Sequence, residues 1–89
     1  MGMPRLTLYS RQHCHLCHEM QAQVEALRAE APFELDVLDI DRSGALLLRF
    51  NELVPVLMAG ERELARYRLD EAAVGQLRDY LHDYSAQTR

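Results

Sequence analysis

The sequence predicts an α/β fold whose elements follow the order β-α-β-α-β-β-α around a four-stranded mixed sheet. Short alternating segments typical of strands are separated by longer segments with apolar residues every three or four positions, as in helices. A glycine-centred turn late in the chain joins two strands as an antiparallel hairpin. The first strand-helix-strand unit instead requires a right-handed crossover and a parallel pair, so the sheet is mixed.

The first three elements are predicted from alternation and helical periodicity. Residues 6–10 alternate as a first strand. Residues 15–31 carry one apolar stripe at helical spacing, and Pro32 ends this helix. Residues 33–37 alternate between apolar and polar types, as in a second strand. At Val37 and Leu38 two apolar residues are adjacent, so the alternation shifts by one position. A bulge, or burial on both faces of the sheet, would explain the slip.

The second half of the chain predicts a short helix, a hairpin and a final helix. Asp41 or Ser43 caps a helix from residue 45 to 53, whose wide apolar arc predicts that it is mostly buried. Residues 56–58 and 63–65 form the hairpin around Gly60. Asp70 caps the last helix. The buried stripe of that helix is predicted to consist of Val74, Leu77, Leu81 and Tyr84.

Composition limits the classes of protein that this chain can represent. Its length suits one domain spanning residues 1–89. The net charge of −4, with no basic stripe, predicts no nucleic-acid partner. The start lacks the pattern of a secretory signal and no apolar run is long enough to span a bilayer, so we expect a cytoplasmic monomer without a membrane partner.

Both cysteines and three of the four histidines lie between residues 13 and 18. A C-x-x-C pair beside a β-α-β pattern is typical of a thioredoxin-like redox site. Cys14 is expected at the start of the first helix, where unpaired N–H groups and the helix dipole favour the thiolate, so we predict that it is the nucleophile. Arg11 and the histidines add positive or polarisable neighbours. Cys17, one turn further, is predicted to be the buried resolving thiol.

Three other interpretations of the same motif stay open. One is a pair of unreactive core cysteines, which suits Cys17 far better than Cys14. A metal-binding module would use Cys14 and Cys17 with His13 or His18, although structural zinc sites usually draw a second ligand pair from a distant segment. The string from Cys14 to His18 also spells the attachment motif of c-type haem. Haem attachment requires export, and the chain has two phenylalanines and no tryptophan with which to bury a haem. The redox site is therefore the primary prediction, with no resident metal.

Several segments together resemble the glutaredoxins and, more closely, small glutaredoxin-like domains. The residues from Tyr9 to Cys14 look like the glutaredoxin segment Tyr-Thr-Lys-x-x-Cys. Asp39-Ile40-Asp41 is similar to the acidic end of a glutaredoxin strand, and Val54-Pro55-Val56 resembles the Val-Pro-Val of that family. The resemblance extends from residue 6 to about residue 81.

This resemblance implies a thioredoxin-like fold in which the cysteines face a cis-proline loop. It implies that Pro55 is cis and that the backbone of Val54 pairs with an extended substrate. The catalytic pair is then Cys14 and Cys17. The residues assigned to substrate binding are Tyr9, Arg11, His13, Val54, Pro55 and Asp70.

The sequence departs from glutaredoxins where glutathione binds. His15-Leu16 replaces Pro-Tyr between the cysteines, and Leu53 replaces a threonine. Where glutaredoxins have a Gly-Gly pair and an acidic residue, this chain has Tyr67-Arg68-Leu69-Asp70, in which only the acidic residue remains. Since backbone close to a ligand usually needs glycine, we expect no bound cofactor and weak use of glutathione. The predicted partners are a disulfide-containing protein or small molecule, and a glutathione or thioredoxin system as reductant.

Overall fold

The computed structural model describes residues 3–87 and has the predicted order of strands and helices. Two single turns of 3₁₀ helix, Leu27–Ala29 and Ile40–Arg42, lie beside the main elements. The main elements are β1 (Arg5–Ser10), α1 (His15–Ala26), β2 (Glu34–Asp39), α2 (Gly44–Phe50), β3 (Val56–Ala59), β4 (Arg62–Arg66) and α3 (Glu71–Gln87).

The four strands form one mixed sheet in the order β2-β1-β3-β4. β1 pairs with β2 in parallel, from Arg5 opposite Glu34 to Ser10 opposite Asp39. β1 pairs with β3 and β3 with β4 in antiparallel fashion. The predicted mixed sheet is therefore confirmed, and the parallel pair brings the ends of β1 and β2 to one edge.

The first helix is shorter than the predicted 15–31. It ends at Ala26, and the chain continues as the 3₁₀ turn Leu27–Ala29. The N–H of Leu27 already donates to the carbonyl of Val24, which is the tighter spacing that often closes a helix end. Apolar periodicity alone does not distinguish this tight turn from another turn of α-helix.

The predicted bulge or two-sided burial at Val37 and Leu38 is wrong. The register of β2 with β1 continues without interruption through both residues, and Val37 and Leu38 are 42% and 39% exposed. β2 is an edge strand, so fewer neighbours cover it. The slip in apolar phase therefore marks exposed apolar side chains and not a change in backbone pairing.

The second helix begins with a Ser43 cap, since the Ser43 hydroxyl accepts the N–H of Leu46 at 3.3 Å. The prediction that this helix is mostly buried is wrong. Phe50 is buried, whereas Leu48 is 88% exposed and Leu47 is 36% exposed. The helix has seven residues, and a wide apolar arc on so short a helix exceeds the face that meets the sheet.

The hairpin and the last helix follow the sequence prediction closely. Gly60 adopts φ 62° in the turn between β3 and β4, a conformation that glycine takes without steric cost. The Asp70 carboxylate accepts the N–H of Ala73 at 2.8 Å and caps α3. Leu77 and Leu81 are buried as predicted, and Ala73 joins them, whereas Val74 and Tyr84 are half-buried.

Two hydrophobic clusters lie on opposite faces of the sheet, because side chains alternate along each strand. The core cluster lies between the sheet and helices α1 and α3. The site cluster lies on the face that α2 covers, and it includes a cysteine. The core cluster contains Leu6, Leu8, Met20, Val24, Phe33, Leu57, Leu77 and Leu81 among others. The site cluster contains Cys17, Ile40, Phe50, Val54, Val56 and Met58.

None of the helices found between residues 3 and 87 combines the length and the apolar character that crossing a bilayer requires.

Candidate active site

Cys14 lies at the junction between the β1 loop and α1. Its backbone is extended, with φ −105° and ψ 105°, so that it serves as the residue that caps the helix. The Cys14 Sγ accepts the backbone N–H of Cys17 at 3.2 Å. Before it, His13 has φ 58°, a left-handed conformation that directs the chain into the helix. The sulfur therefore lies at the positive end of the helix dipole.

Cys17 lies one helical turn beyond Cys14 and is fully buried in the site cluster. The two cysteines form a disulfide, with their Cα atoms 5.2 Å apart. Cys14 is half-buried, so one sulfur of the pair is accessible and the other is enclosed. This asymmetry is the arrangement in which an outer thiol attacks and an inner thiol resolves.

The loop before β3 forms the opposite side of the site. The Val54-Pro55 peptide bond is cis, as the resemblance implied. Pro55 is fully buried and Val54 is 8% exposed. The Pro55 carbonyl accepts the N–H of Tyr67 at 2.8 Å, which connects this loop to the segment before α3.

Arg11 is already engaged with an acidic residue from the end of β2. Its Nε and Nη2 donate to the two carboxylate oxygens of Asp41, at 3.1 and 2.8 Å. This hydrogen bond raises the pKa of Arg11 above its usual value, and the charges of Asp41, Asp39 and Glu52 add to the effect. The guanidinium edge bound to Asp41 is therefore occupied within the protein itself.

A pocket of about 640 Å³ opens beside Cys14. Arg11, His13 and Val54, all predicted substrate-binding residues, line it together with Cys14. Its other lining residues are Gln12, Asp41 and Glu52. The fold therefore gathers three of the six predicted binding residues around the accessible cysteine, Cys14.

Sequence reasoning missed the two carboxylates of this pocket. Along the chain, the acidic residue nearest to Cys14 is Glu19, so sequence distance gives no sign that Asp41 and Glu52 lie beside it. The parallel register placing Ser10 opposite Asp39 brings the segment after β2, including Asp41, to the start of the Cys14 loop. Glu52 follows α2 and precedes Val54 by two residues.

Two predicted binding residues lie elsewhere. Asp70 lines a separate pocket of about 410 Å³ together with Leu16, Glu19 and Tyr67, and its carboxylate caps α3. The ring of Tyr9 stacks on Phe50 with centroids 4.2 Å apart and belongs to the packing of the site cluster. The pocket at Cys14 and the pocket at Asp70 share no lining residue.

The histidines flank the disulfide on exposed positions. His15 is 87% exposed, and its Nε2 lies 3.7 Å from a carboxylate oxygen of Glu19, with which it pairs when protonated. His18 lines a groove with Gln12, Gln21 and Leu46 on the α2 side. Across residues 3–87, no three His, Cys, Asp or Glu side chains are gathered so that they could hold a metal ion. The metal-binding alternative therefore finds no assembled ligand set in that range.

Comparison with known proteins places nearly the whole chain in one family. Residues 5–81 match the family model described as Glutaredoxin-like domain (DUF836). No curated protein matches the chain significantly.

Two solved bacterial structures are similar in both sequence and fold. Protein Ne2328 from Nitrosomonas europaea, solved by solution NMR, has 38% identity and a TM-score of 0.73, covering 86% of this chain and 93% of its own. Protein XcR50 from X. campestris, solved by X-ray crystallography, has 35% identity and a TM-score of 0.62, covering 84% and 96%.

A more distant structure supports the fold alone. Fasciola hepatica thioredoxin has 23% identity and a TM-score of 0.55, covering 92% of this chain and 81% of its own. The thioredoxin-like class predicted from the sequence is thereby confirmed.

Proposed function

The chain belongs to the glutaredoxin-like domain family, and from this premise we propose that it is a thiol-disulfide oxidoreductase whose redox pair is Cys14 and Cys17. The observation that carries the proposal is the asymmetry of the pair. Cys14 is accessible at the start of α1 beside a pocket, and Cys17 is fully buried behind it. Such an arrangement supports attack by one thiol and intramolecular release by the other.

In the proposed reaction the reduced protein transfers two electrons to a substrate disulfide. The Cys14 thiolate attacks one substrate sulfur, the substrate S–S bond breaks, and the first substrate thiolate leaves and takes a proton. Cys17, as a thiolate, then attacks the Cys14 Sγ. This step releases the second substrate thiolate, which is also protonated, and leaves the Cys14-Cys17 disulfide.

Local structure supports Cys14 as the nucleophile. The N–H of Cys17 points at the Cys14 Sγ, and the first turn of α1 contains no acidic side chain. Both features stabilise a thiolate more than a thiol. The carboxylates of Asp41 and Glu52 across the pocket oppose this effect, so we expect a moderate decrease in the pKa of Cys14 and not an extreme one.

We further propose a monomer in the cytoplasm that binds no cofactor and uses glutathione weakly. The cytoplasm supplies the thiol systems that would keep such a pair reduced. Two observations support weak glutathione use: Arg11 is already paired with Asp41, and Arg11 and Asp70, the two charged residues assigned to substrate binding, do not line one pocket. The preferred substrate is then another disulfide, in a protein or a small molecule.

The test is turnover of hydroxyethyl disulfide with two reducing systems, glutathione with glutathione reductase and thioredoxin with thioredoxin reductase. After subtraction of the rate without the protein, we expect faster turnover with the thioredoxin system. Cys14→Ser should abolish the added rate, and Cys17→Ser should reduce it strongly. Robust glutathione-dependent turnover would contradict the predicted preference, whereas no turnover with either system would contradict the proposed activity.

A further inference from the structure

We infer that the Cys14 pocket selects disulfides that carry positive charge beside the sulfur atoms, and that Glu52 is a determinant of this selectivity. The inference rests on the proposed oxidoreductase activity and names its substrate class. It comes from the charges that line the pocket.

The charged lining consists of one arginine, two carboxylates and a histidine: Arg11, Asp41, Glu52 and His13. Arg11 and Asp41 are joined by two hydrogen bonds, so their opposite charges largely cancel at the position of a substrate. Beside this pair, Glu52 contributes a further negative charge to the lining. These charged side chains therefore favour cations over anions in the pocket beside Cys14.

The Glu52 carboxylate is exposed, and it makes no hydrogen bond or ion pair within the part of the chain that the structure describes. It lies in the segment between α2 and β3, two residues before Val54, which also lines the pocket. An extended substrate beside Val54 would therefore pass close to this charge. The Glu52 charge acts on Arg11 without a hydrogen bond, and Arg11 is already paired with Asp41. A cationic substrate group therefore meets a carboxylate whose charge is only weakly offset.

The same arrangement disfavours an anionic substrate. Arginine binds carboxylates best through two parallel N–H donors. In Arg11 the Nε and Nη2 donors of one guanidinium edge are already directed at Asp41. An anion entering the pocket thus meets an arginine already paired with Asp41 and the additional negative charge of Glu52. Disulfides flanked by carboxylates should react slowly for this reason.

The experiment is a single-turnover reaction, which needs no recycling reductant. Reduced protein is mixed at pH 8 and low salt with excess cystamine (dicationic), hydroxyethyl disulfide (neutral) or dithiodiglycolate (dianionic). Acid quenching, alkylation and mass spectrometry then measure the loss of the two protein thiols as the Cys14-Cys17 disulfide forms and two substrate thiols are released. Each rate is divided by the rate of the same disulfide with dithiothreitol, a neutral dithiol, to remove differences in intrinsic reactivity.

We expect the normalised rates to decrease from cystamine to hydroxyethyl disulfide to dithiodiglycolate, with about a tenfold range at low salt. The range should contract in 1 M NaCl, where charges are screened within about 3 Å. Glu52→Gln should reduce the range about threefold. Glu61→Gln, which removes the same charge from the exposed hairpin turn, is the matched control and should leave the range unchanged.

Equal normalised rates, or faster reaction of dithiodiglycolate, would overturn the inference while leaving the oxidoreductase activity intact. The same holds if Glu52→Gln changes the range no more than Glu61→Gln. If none of the three disulfides oxidises the cysteine pair faster than it oxidises dithiothreitol, the proposed function itself is overturned, and the inference with it.

Discussion

The two faces of the sheet differ in how completely they are covered. On one face α1 and α3 enclose the core cluster, in which Leu6, Leu8 and Leu77 have no exposed surface. On the other face the seven-residue α2 covers the site cluster, and Leu47 and Leu48 on that helix are exposed. Cys17 is buried in the site cluster, and Cys14 packs at its margin.

This difference in coverage predicts that one face of the sheet mainly determines stability and that the other mainly determines thiol reactivity. The core cluster contains more buried apolar side chains than the site cluster, and burial of apolar surface is the main favourable term in folding. The site cluster positions an accessible sulfur above a buried one. Substitutions in the core cluster should therefore act mainly on the free energy of unfolding, and substitutions at the cysteines mainly on thiol reactivity.

The largest stability effect is expected from Phe33→Ala. Phe33 is fully buried in the core cluster, and the Arg28 guanidinium lies 4.7 Å from the centre of its ring. Truncation should lower the free energy of unfolding by about 3–5 kcal/mol, through lost apolar contact and the cavity that remains. Urea unfolding of the oxidised protein, followed by circular dichroism, measures the change.

The control for this truncation is Leu48→Ala in α2, on the less completely covered face of the sheet. Leu48 is 88% exposed, so its removal should change stability by no more than about 0.5 kcal/mol. Equal losses for Phe33→Ala and Leu48→Ala would show that the two faces contribute alike and would contradict the comparison.

A smaller effect is expected from reduction of the Cys14-Cys17 disulfide. The two cysteines are three positions apart, and so short a loop removes little entropy from the unfolded chain. Reduction should lower the free energy of unfolding by about 2 kcal/mol or less. Urea unfolding with and without excess dithiothreitol measures it. A loss exceeding that of Phe33→Ala would make the disulfide a structural cross-link and not a redox pair.

The smallest effect concerns an exposed ion pair between Glu30, which follows the 3₁₀ turn Leu27–Ala29, and Arg78 of α3. The Nε and Nη2 of Arg78 donate to the two carboxylate oxygens of Glu30, at 2.8 Å each, and this hydrogen bonding lowers the pKa of Glu30. Because the pKa of Glu30 is lower in the folded than in the unfolded protein, its ionised carboxylate stabilises the fold at pH values above the pKa of the unfolded state. This stabilisation is lost as the pH falls through the pKa of the folded state. Arg78→Gln should therefore cause a small decrease in Tm at pH 7 that disappears at strongly acidic pH.

Arg42→Gln is the matched control for this ion pair, since Arg42 has no hydrogen bond or ion pair among the described side chains. Thermal unfolding of both variants at neutral and acidic pH separates the specific pair from the general loss of one positive charge. The same decrease for both variants, or a decrease that persists in acid, would show that the Glu30 contact has no measurable effect.

Most of the fold was predictable because local signals agreed with the global arrangement. The strand order along the chain, the Asp70 cap and the turn at Gly60 follow from residue types whose preferences are local. The errors arose where tertiary context decides. Val37 and Leu38 are exposed because β2 lies at the edge of the sheet, and Leu48 is exposed because the short α2 covers little of the sheet. The spacing of apolar residues along the chain predicts neither feature.

The candidate site was predictable in part for the same reason. The position of the cysteines at the start of α1 follows from the end of β1 and the helical pattern after Cys14. The contact between Arg11 and Asp41 joins segments 30 positions apart. Only the parallel register of β1 and β2 makes these segments neighbours. Distance along the sequence therefore does not indicate that Asp41 lines the pocket.

The central claim is that Cys14 is the nucleophile, and its most direct test is the pKa of each cysteine thiol. The Cys14 thiol is measured in reduced Cys17→Ser and the Cys17 thiol in reduced Cys14→Ser. The two readouts are thiolate absorbance at 240 nm and the rate of alkylation with iodoacetamide. The helix start and the N–H of Cys17 favour the Cys14 thiolate, while Glu52 and Asp41, the latter largely offset by Arg11, oppose it. We predict that Cys14 titrates below about 8 and alkylates faster than the buried Cys17 at pH 7. A Cys14 pKa at or above the ordinary value of about 8.5, with alkylation no faster than that of Cys17, would contradict the assignment of Cys14 as the nucleophile.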